Sequence, residues 1–97
     1  MPYALEFEVP GDEDLYERVK AEIGAEVVPG LMVHLVVKTT TGLRHIEVWD
    51  SPAEHDRFHR ERVEPAVETV LRSIGFTDPR PAHDHAELEL IDLQLSA

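Results

Sequence analysis

Gly30-Leu-Met-Val-His-Leu-Val-Val-Lys-Thr-Thr-Thr-Gly-Leu-Arg-His-Ile-Glu-Val-Trp-Asp50 is the stretch around which the chain is organised. It reads as a β-hairpin. Two runs rich in Val, Ile and Leu flank a Thr-Thr-Thr-Gly corner, where Gly42 can adopt the positive φ such turns use. Side chains alternate faces along a strand. Leu31, Val33, Leu35 and Val37 therefore share one face of the first arm, and Met32, His34, Val36 and Lys38 share the other. A loop of two or four residues preserves the parity of pairing. Ile46 and Val48 then join the first set and make a uniformly apolar face. His45, Glu47 and Trp49 join the second, which mixes imidazole, carboxylate and indole. One face looks like packing and the other could carry chemistry.

Working outward, Tyr3–Val9 alternates with Tyr3, Leu5, Phe7 and Val9 on one side, the pattern of a strand. Pro10-Gly11 breaks it. Asp12 suits an N-cap, and the spacing of Leu15, Val19 and Ile23 predicts a helix over 13–23, stopped at Gly24. After the hairpin, Ser51-Pro52-Ala53-Glu54 combines a capping serine, an early proline and a glutamate at the third position, a strong helix start. This helix is expected to reach Ile74 and end at Gly75, with a kink or break near Val63–Glu64, because Pro65 cannot donate to the preceding turn. His55, Phe58, His59 and Arg62 share one face of its first half. Arg57, Arg60 and Arg62 among Glu54, Asp56, Glu61 and Glu64 suggest a salt-bridged helix surface. Residues 77–85 read as a loop. Ala86–Leu95 alternates again, but its apolar face switches near Leu90–Ile91, which hints at a bulge or a crossing between two environments.

The order β-α-β-β-α-β is the split arrangement of an α+β, ferredoxin-like fold: four antiparallel strands with two helices on one face. At 97 residues the expectation is a single domain over 1–97. Both sheet faces carry apolar side chains, yet the helices can cover only one. Leaving Val, Leu and Ile wet at about 25 cal/mol per Å² would forfeit several kcal/mol. A second copy is the simplest cover, so a homodimer is expected.

Composition excludes several classes of function. A net charge of −11 argues against nucleic acid or an anionic membrane as partner, since both require a basic footprint. With no cysteine there is no disulfide, thiolate metal site or Cys nucleophile. No apolar run approaches a membrane span, and the first residues lack the basic and apolar regions of a signal peptide, so a cytoplasmic location is expected. The five glycines are scattered singly, and none builds a phosphate loop.

Pro29-Gly30-Leu31-Met32-Val33-His34, Leu43–Ser51 and Phe58 with Glu61-Arg62-Val63-Glu64-Pro65-Ala66 resemble the antibiotic-biosynthesis-monooxygenase-like family. Its members are dimeric α/β-barrel proteins. The resemblance implies a dimeric barrel with a cavity between sheet and helices in each subunit. The mixed hairpin face would line that cavity and the uniform face would meet the partner. Activities in the family range from cofactor-independent oxygenation of aromatic molecules to haem degradation, and fold does not choose among them. The haem-degrading branch carries a tryptophan where this chain has Phe58 and its ligating histidine where this chain has Glu68. No haem, and no other cofactor, is therefore expected.

Two readings of the site follow. In the first, a cavity lined by Met32, Glu47, Trp49, Phe58 and His59 holds a small, planar, acidic aromatic molecule. His34 or His55 removes a proton, and the electron-rich anion reacts with oxygen as in a cofactor-independent monooxygenase. A carboxylate near an imidazole favours its charged form and burial opposes it, which can tune a base to neutral pH. In the second, the protein is a non-catalytic homodimeric module, His34 and His45 are ordinary strand residues, and the cavity is filled by side chains such as Trp49. A cavity of roughly a few hundred Å³ beside His34 and His55 would favour the first; solid packing there would favour the second. His55 and His59 also have the spacing of two ligands on one metal, with His34 or Glu47 as a third. The zinc-protease motif requires glutamate where Asp56 stands, so no metal is assigned. His83-Asp84-His85 in its proline-rich loop receives no role.

Overall fold

The computed structural model describes residues 2–9, 11–76 and 85–95. In order these form β1 (Tyr3–Val9), α1 (Glu13–Ile23), β2 (Leu31–Lys38), β3 (Leu43–Trp49) and α2 (Pro52–Phe58). A π-helical turn (His59–Val63), α3 (Glu64–Ser73) and β4 (His85–Leu88) follow. The strands make one antiparallel sheet in the order β2-β3-β1-β4. This is the α+β, ferredoxin-like arrangement expected from the element order.

Local chemistry sets the helix ends. The Asp12 carboxylate accepts the Leu15 N–H at 2.9 Å, and Ser51 Oγ accepts the Glu54 N–H at 3.4 Å. Pro65 does not break the second helical segment. The turn before it widens instead, and the Glu64 N–H reaches the His59 carbonyl in place of the usual shorter bond. A widened turn absorbs the donor that proline lacks, so α2, the π-turn and α3 run on without a gap. The segment ends with Gly75 at φ +83°. There the Gly75 N–H bonds the Arg72 carbonyl at 3.1 Å, and the Phe76 N–H bonds Leu71 at 2.9 Å.

The mixed hairpin face turns toward the helices. Leu5, Phe7 and Trp49 form the buried centre, with Tyr3, Val9, Val28, Leu31 and Phe58 packed around them. Ala66 and Val70 of α3 are buried as well. The uniform face is turned away, and it leaves Leu35 52% and Val37 43% exposed.

Three expectations need correction. The first is the register at the hairpin's open end. Leu31 pairs with Trp49 but Val33 pairs with Val48, so Met32 is the extra residue of a bulge. Parity holds only along an unbroken ladder. Leu31 therefore packs on the core beside Trp49, and Met32 is left 41% exposed. The second is the last strand, which stops at Leu88 rather than continuing to Leu95. It pairs with β1 from Phe7↔His85 to Ala4↔Leu88, and two positions further on its partner would be Pro2, which has no N–H to offer. The third is Arg62, which is not a surface ion pair. It donates to the Ile23 carbonyl at 3.2 Å, tying α1 to the π-turn, and lies 5.2 Å from the Phe58 ring centre.

Gly30 marks the entry to the hairpin. Its φ is +84°, and a Cβ there would sit 2.6 Å from Glu54 Cβ at the start of α2. Gly30→Ala combines left-handed strain with a clash against an atom close to the backbone. The expected loss is roughly 2–4 kcal/mol, read from the urea midpoint. A loss within about 0.5 kcal/mol would mean that this corner is not packed as described.

Candidate functional site

Glu47 is the pivot of the site. It lies on β3, inside the sheet, and is only 5% exposed. A carboxylate so placed requires partners. Trp49 is two residues on and thus on the same face; its Nε1–H donates to Glu47 Oε1 at 2.9 Å. The other oxygen, Oε2, lies 3.6 Å from His34 Nε2, where β2 and β3 place His34 and Glu47 opposite one another. His59 Nε2 reaches to 4.0 Å of Oε1 from the helical side.

Histidines ring this carboxylate. His34 Nε2 is 3.0 Å from His45 Nδ1, one ring donating to the other. His45 in turn stacks on Phe7, with centroids 4.7 Å apart and planes within 9°. His55 lies midway along α2 and is 6% exposed. It meets Tyr3 at 5.7 Å, Trp49 at 5.6 Å and His59 at 4.3 Å between ring centres. Its Nδ1 lies 3.0 Å from Asp56 Oδ1. Phe58 leans on Trp49 at 5.6 Å.

Of the seven residues singled out from the sequence, the fold brings together His34, Glu47, Trp49, His55, Phe58 and His59. It leaves Met32 outside. It also brings in His45, Tyr3 and Asp56. Strand parity places His45 on the same face as His34, although no role was assigned to it; Tyr3 and Asp56 had no such signal.

The deep half of this group is packed. Trp49, His55 and Phe58 fill the space between sheet and helices with their own rings. Two cavities among the described residues, of about 260 and 250 Å³, lie elsewhere. One is lined by Glu6, Phe7, Glu8, Arg44, His85 and Ala86, and the other lies between α1 and α3 around Ile23 and Arg62. Neither of these two cavities lies beside both His34 and His55. The group reaches solvent at its rim, where the His34 side chain is 31% and the His59 side chain 22% exposed.

Burial pushes the His34 pKa below its ordinary 6.5; Glu47 opposes this and Lys20 reinforces it. A histidine whose folded pKa is depressed contributes stability above its unfolded pKa, and this is lost as pH falls through the folded value. The wild-type urea midpoint should therefore drop more than that of His34→Gln between about pH 7.5 and 5.5. Equal slopes would show that His34 titrates as it does in the unfolded chain.

Among the described residues no helix is long and apolar enough to cross a membrane. No family model and no curated protein matches the chain. Solved structures do. A candidate antibiotic biosynthesis monooxygenase from Chloroflexus aurantiacus aligns at 22% identity and a TM-score of 0.60, over 97% of each chain. The protein Rv0793 of Mycobacterium tuberculosis aligns at 16% and 0.57, over 95% of this chain and 97% of its own. SnoaB, a cofactor-independent oxygenase from Streptomyces nogalater, aligns at 18% and 0.53, over 95% and 93%. At such identities the likeness speaks for architecture alone, and this chain has the α+β, ferredoxin-like fold of antibiotic biosynthesis monooxygenase domain proteins.

Proposed function

We propose that the chain forms a homodimer and binds a small, electron-rich phenol at the rim of the Glu47 group. There His34 removes a proton and molecular oxygen adds without a cofactor. The observation that supports this is the partly exposed His34 imidazole backed by a buried carboxylate, which Trp49 holds in place. Such a pair can accept a proton at neutral pH and stabilise the imidazolium that results. That SnoaB, a protein of the same fold, is a cofactor-independent oxygenase adds weight.

The reaction balances with oxygen as the sole oxidant. His34 takes the phenol's hydroxyl proton. The phenolate passes an electron pair to O2 as a C–O bond forms at the para carbon, and the returned proton gives a hydroperoxide. The para hydrogen and the terminal hydroxyl leave as water, so phenol and O2 become quinone and water.

A second reading, a homodimer without catalysis, is favoured by the close packing of Trp49, His55 and Phe58. Oxygen uptake with a dihydroxynaphthalene separates the two. The expected result is uptake by the wild type that falls by about 100-fold in His34→Gln. Equal uptake in that variant removes His34 from the mechanism. Uptake no faster than the protein-free rate leaves the second reading.

A further inference from the structure

Glu47, His55 and His59 each offer one ligand atom, and these atoms all lie within 4.8 Å of one another. We propose that this trio is a binding site for a divalent transition-metal cation of the zinc or cobalt type, with a carboxylate from β3 and two imidazoles from the helical segment as ligands.

The trio contains a buried imbalance. His55 Nε2 is buried and has no hydrogen-bond partner among the described residues. Its other nitrogen lies 3.0 Å from the Asp56 carboxylate, which can only accept. Nδ1 therefore carries the proton, and Nε2 presents a bare lone pair to the interior. An unmatched buried acceptor is unfavourable, and a cation bound there would turn that cost into a bond. The Asp56 contact is also the kind that orients metal-binding imidazoles and raises their basicity.

Geometry adds the remaining ligands. His55 and His59 stand one turn apart with ring centres 4.3 Å apart, and Glu47 Oε1 is 4.0 Å from His59 Nε2. Metal–ligand bonds of about 2.0–2.2 Å place tetrahedral ligand atoms about 3.3 Å apart, so the trio must contract by up to about 1.5 Å from its 4.8 Å limit. Of the three side chains His59 is the most exposed, at 22% against 7% for Glu47 and for His55, so the movement is assigned to it. Two imidazoles and one carboxylate suit zinc, cobalt or ferrous iron, and offer too few oxygens for calcium or magnesium. His34, His45 and Glu47 also converge, but there the two imidazoles already bond each other at 3.0 Å, and among the described residues no buried side-chain nitrogen or oxygen of these three lacks a partner.

This site lies on the helical side of Glu47 and does not rest on the oxygenation reading. The test is calorimetric titration of the chelator-treated full chain with zinc chloride. A parallel titration with cobalt chloride is followed by visible absorption. One ion per chain with micromolar or tighter affinity is expected, together with the d–d bands of cobalt bound to nitrogen and oxygen in a low-coordinate site. His59→Asn should weaken binding at least about tenfold and bleach the bands. Asp56→Ala alters an exposed side chain, so it should leave the circular dichroism native while weakening binding about tenfold. Asp56→Ala decides if His59→Asn misfolds. Absent heat and absent bands would overturn the proposal. So would millimolar affinity, or undiminished affinity in a natively folded variant.

Discussion

Trp49→Ala should remove roughly 3–5 kcal/mol of stability, the usual range for deleting a large buried aromatic. Against a total of about 5–15 kcal/mol for an ordinary domain, that brings the protein near its unfolding threshold. The size follows from two losses at one position. The indole is 1% exposed and contacts Phe58 and His55, so its removal leaves a void in the centre of the sheet–helix interface. Its Nε1–H also satisfies Glu47, itself 5% exposed, and alanine leaves that oxygen without its donor. Trp49→Phe separates the terms: it keeps most of the packing and loses only the donor, for an expected cost of about 1–3 kcal/mol. Urea midpoints measure both variants. If alanine costs less than about 1 kcal/mol, Trp49 is not the keystone of this core.

Leu35→Asp should convert the proposed dimer into a monomer at micromolar concentration. Leu35 projects from the outward face of β2 beside Val37, and both keep about half their surface exposed in the isolated chain. That face is where a second copy would recover the apolar area. A twofold interface would bury two introduced carboxylates, each costing several kcal/mol with no partner. A shift of about 4 kcal/mol raises a dissociation constant nearly a thousandfold. Sedimentation velocity checks the change in mass, and circular dichroism checks that the domain remains folded. A wild type that sediments as a monomer at micromolar concentration would dispose of the dimer. A variant that stays dimeric would move the interface off this face.

The site was legible in proportion to how local its geometry is. Glu47 and Trp49 stand two apart on one strand, so alternation alone placed them side by side, and an even loop of either length put His34 on their face; the four-residue loop of the fold sets it opposite Glu47. His55 and His59 were likewise readable as neighbours, one turn apart. Met32 was misplaced because a bulge is a property of two strands together. Nothing in a single run of residues says where the ladder will slip.

The first three strands, the helix positions, both N-caps and the order of elements follow from short-range rules, since alternation, capping and the missing N–H of proline act within a few residues. That much could be read from the chain. The chain could not show that the two histidines of α2 and the π-turn would close over the carboxylate of β3, or that their rings would pack against Trp49 and Phe58. Nor could it show that one nitrogen would be stranded among them. These outcomes depend on how a helix settles on a sheet, which long-range packing selects and no local pattern encodes.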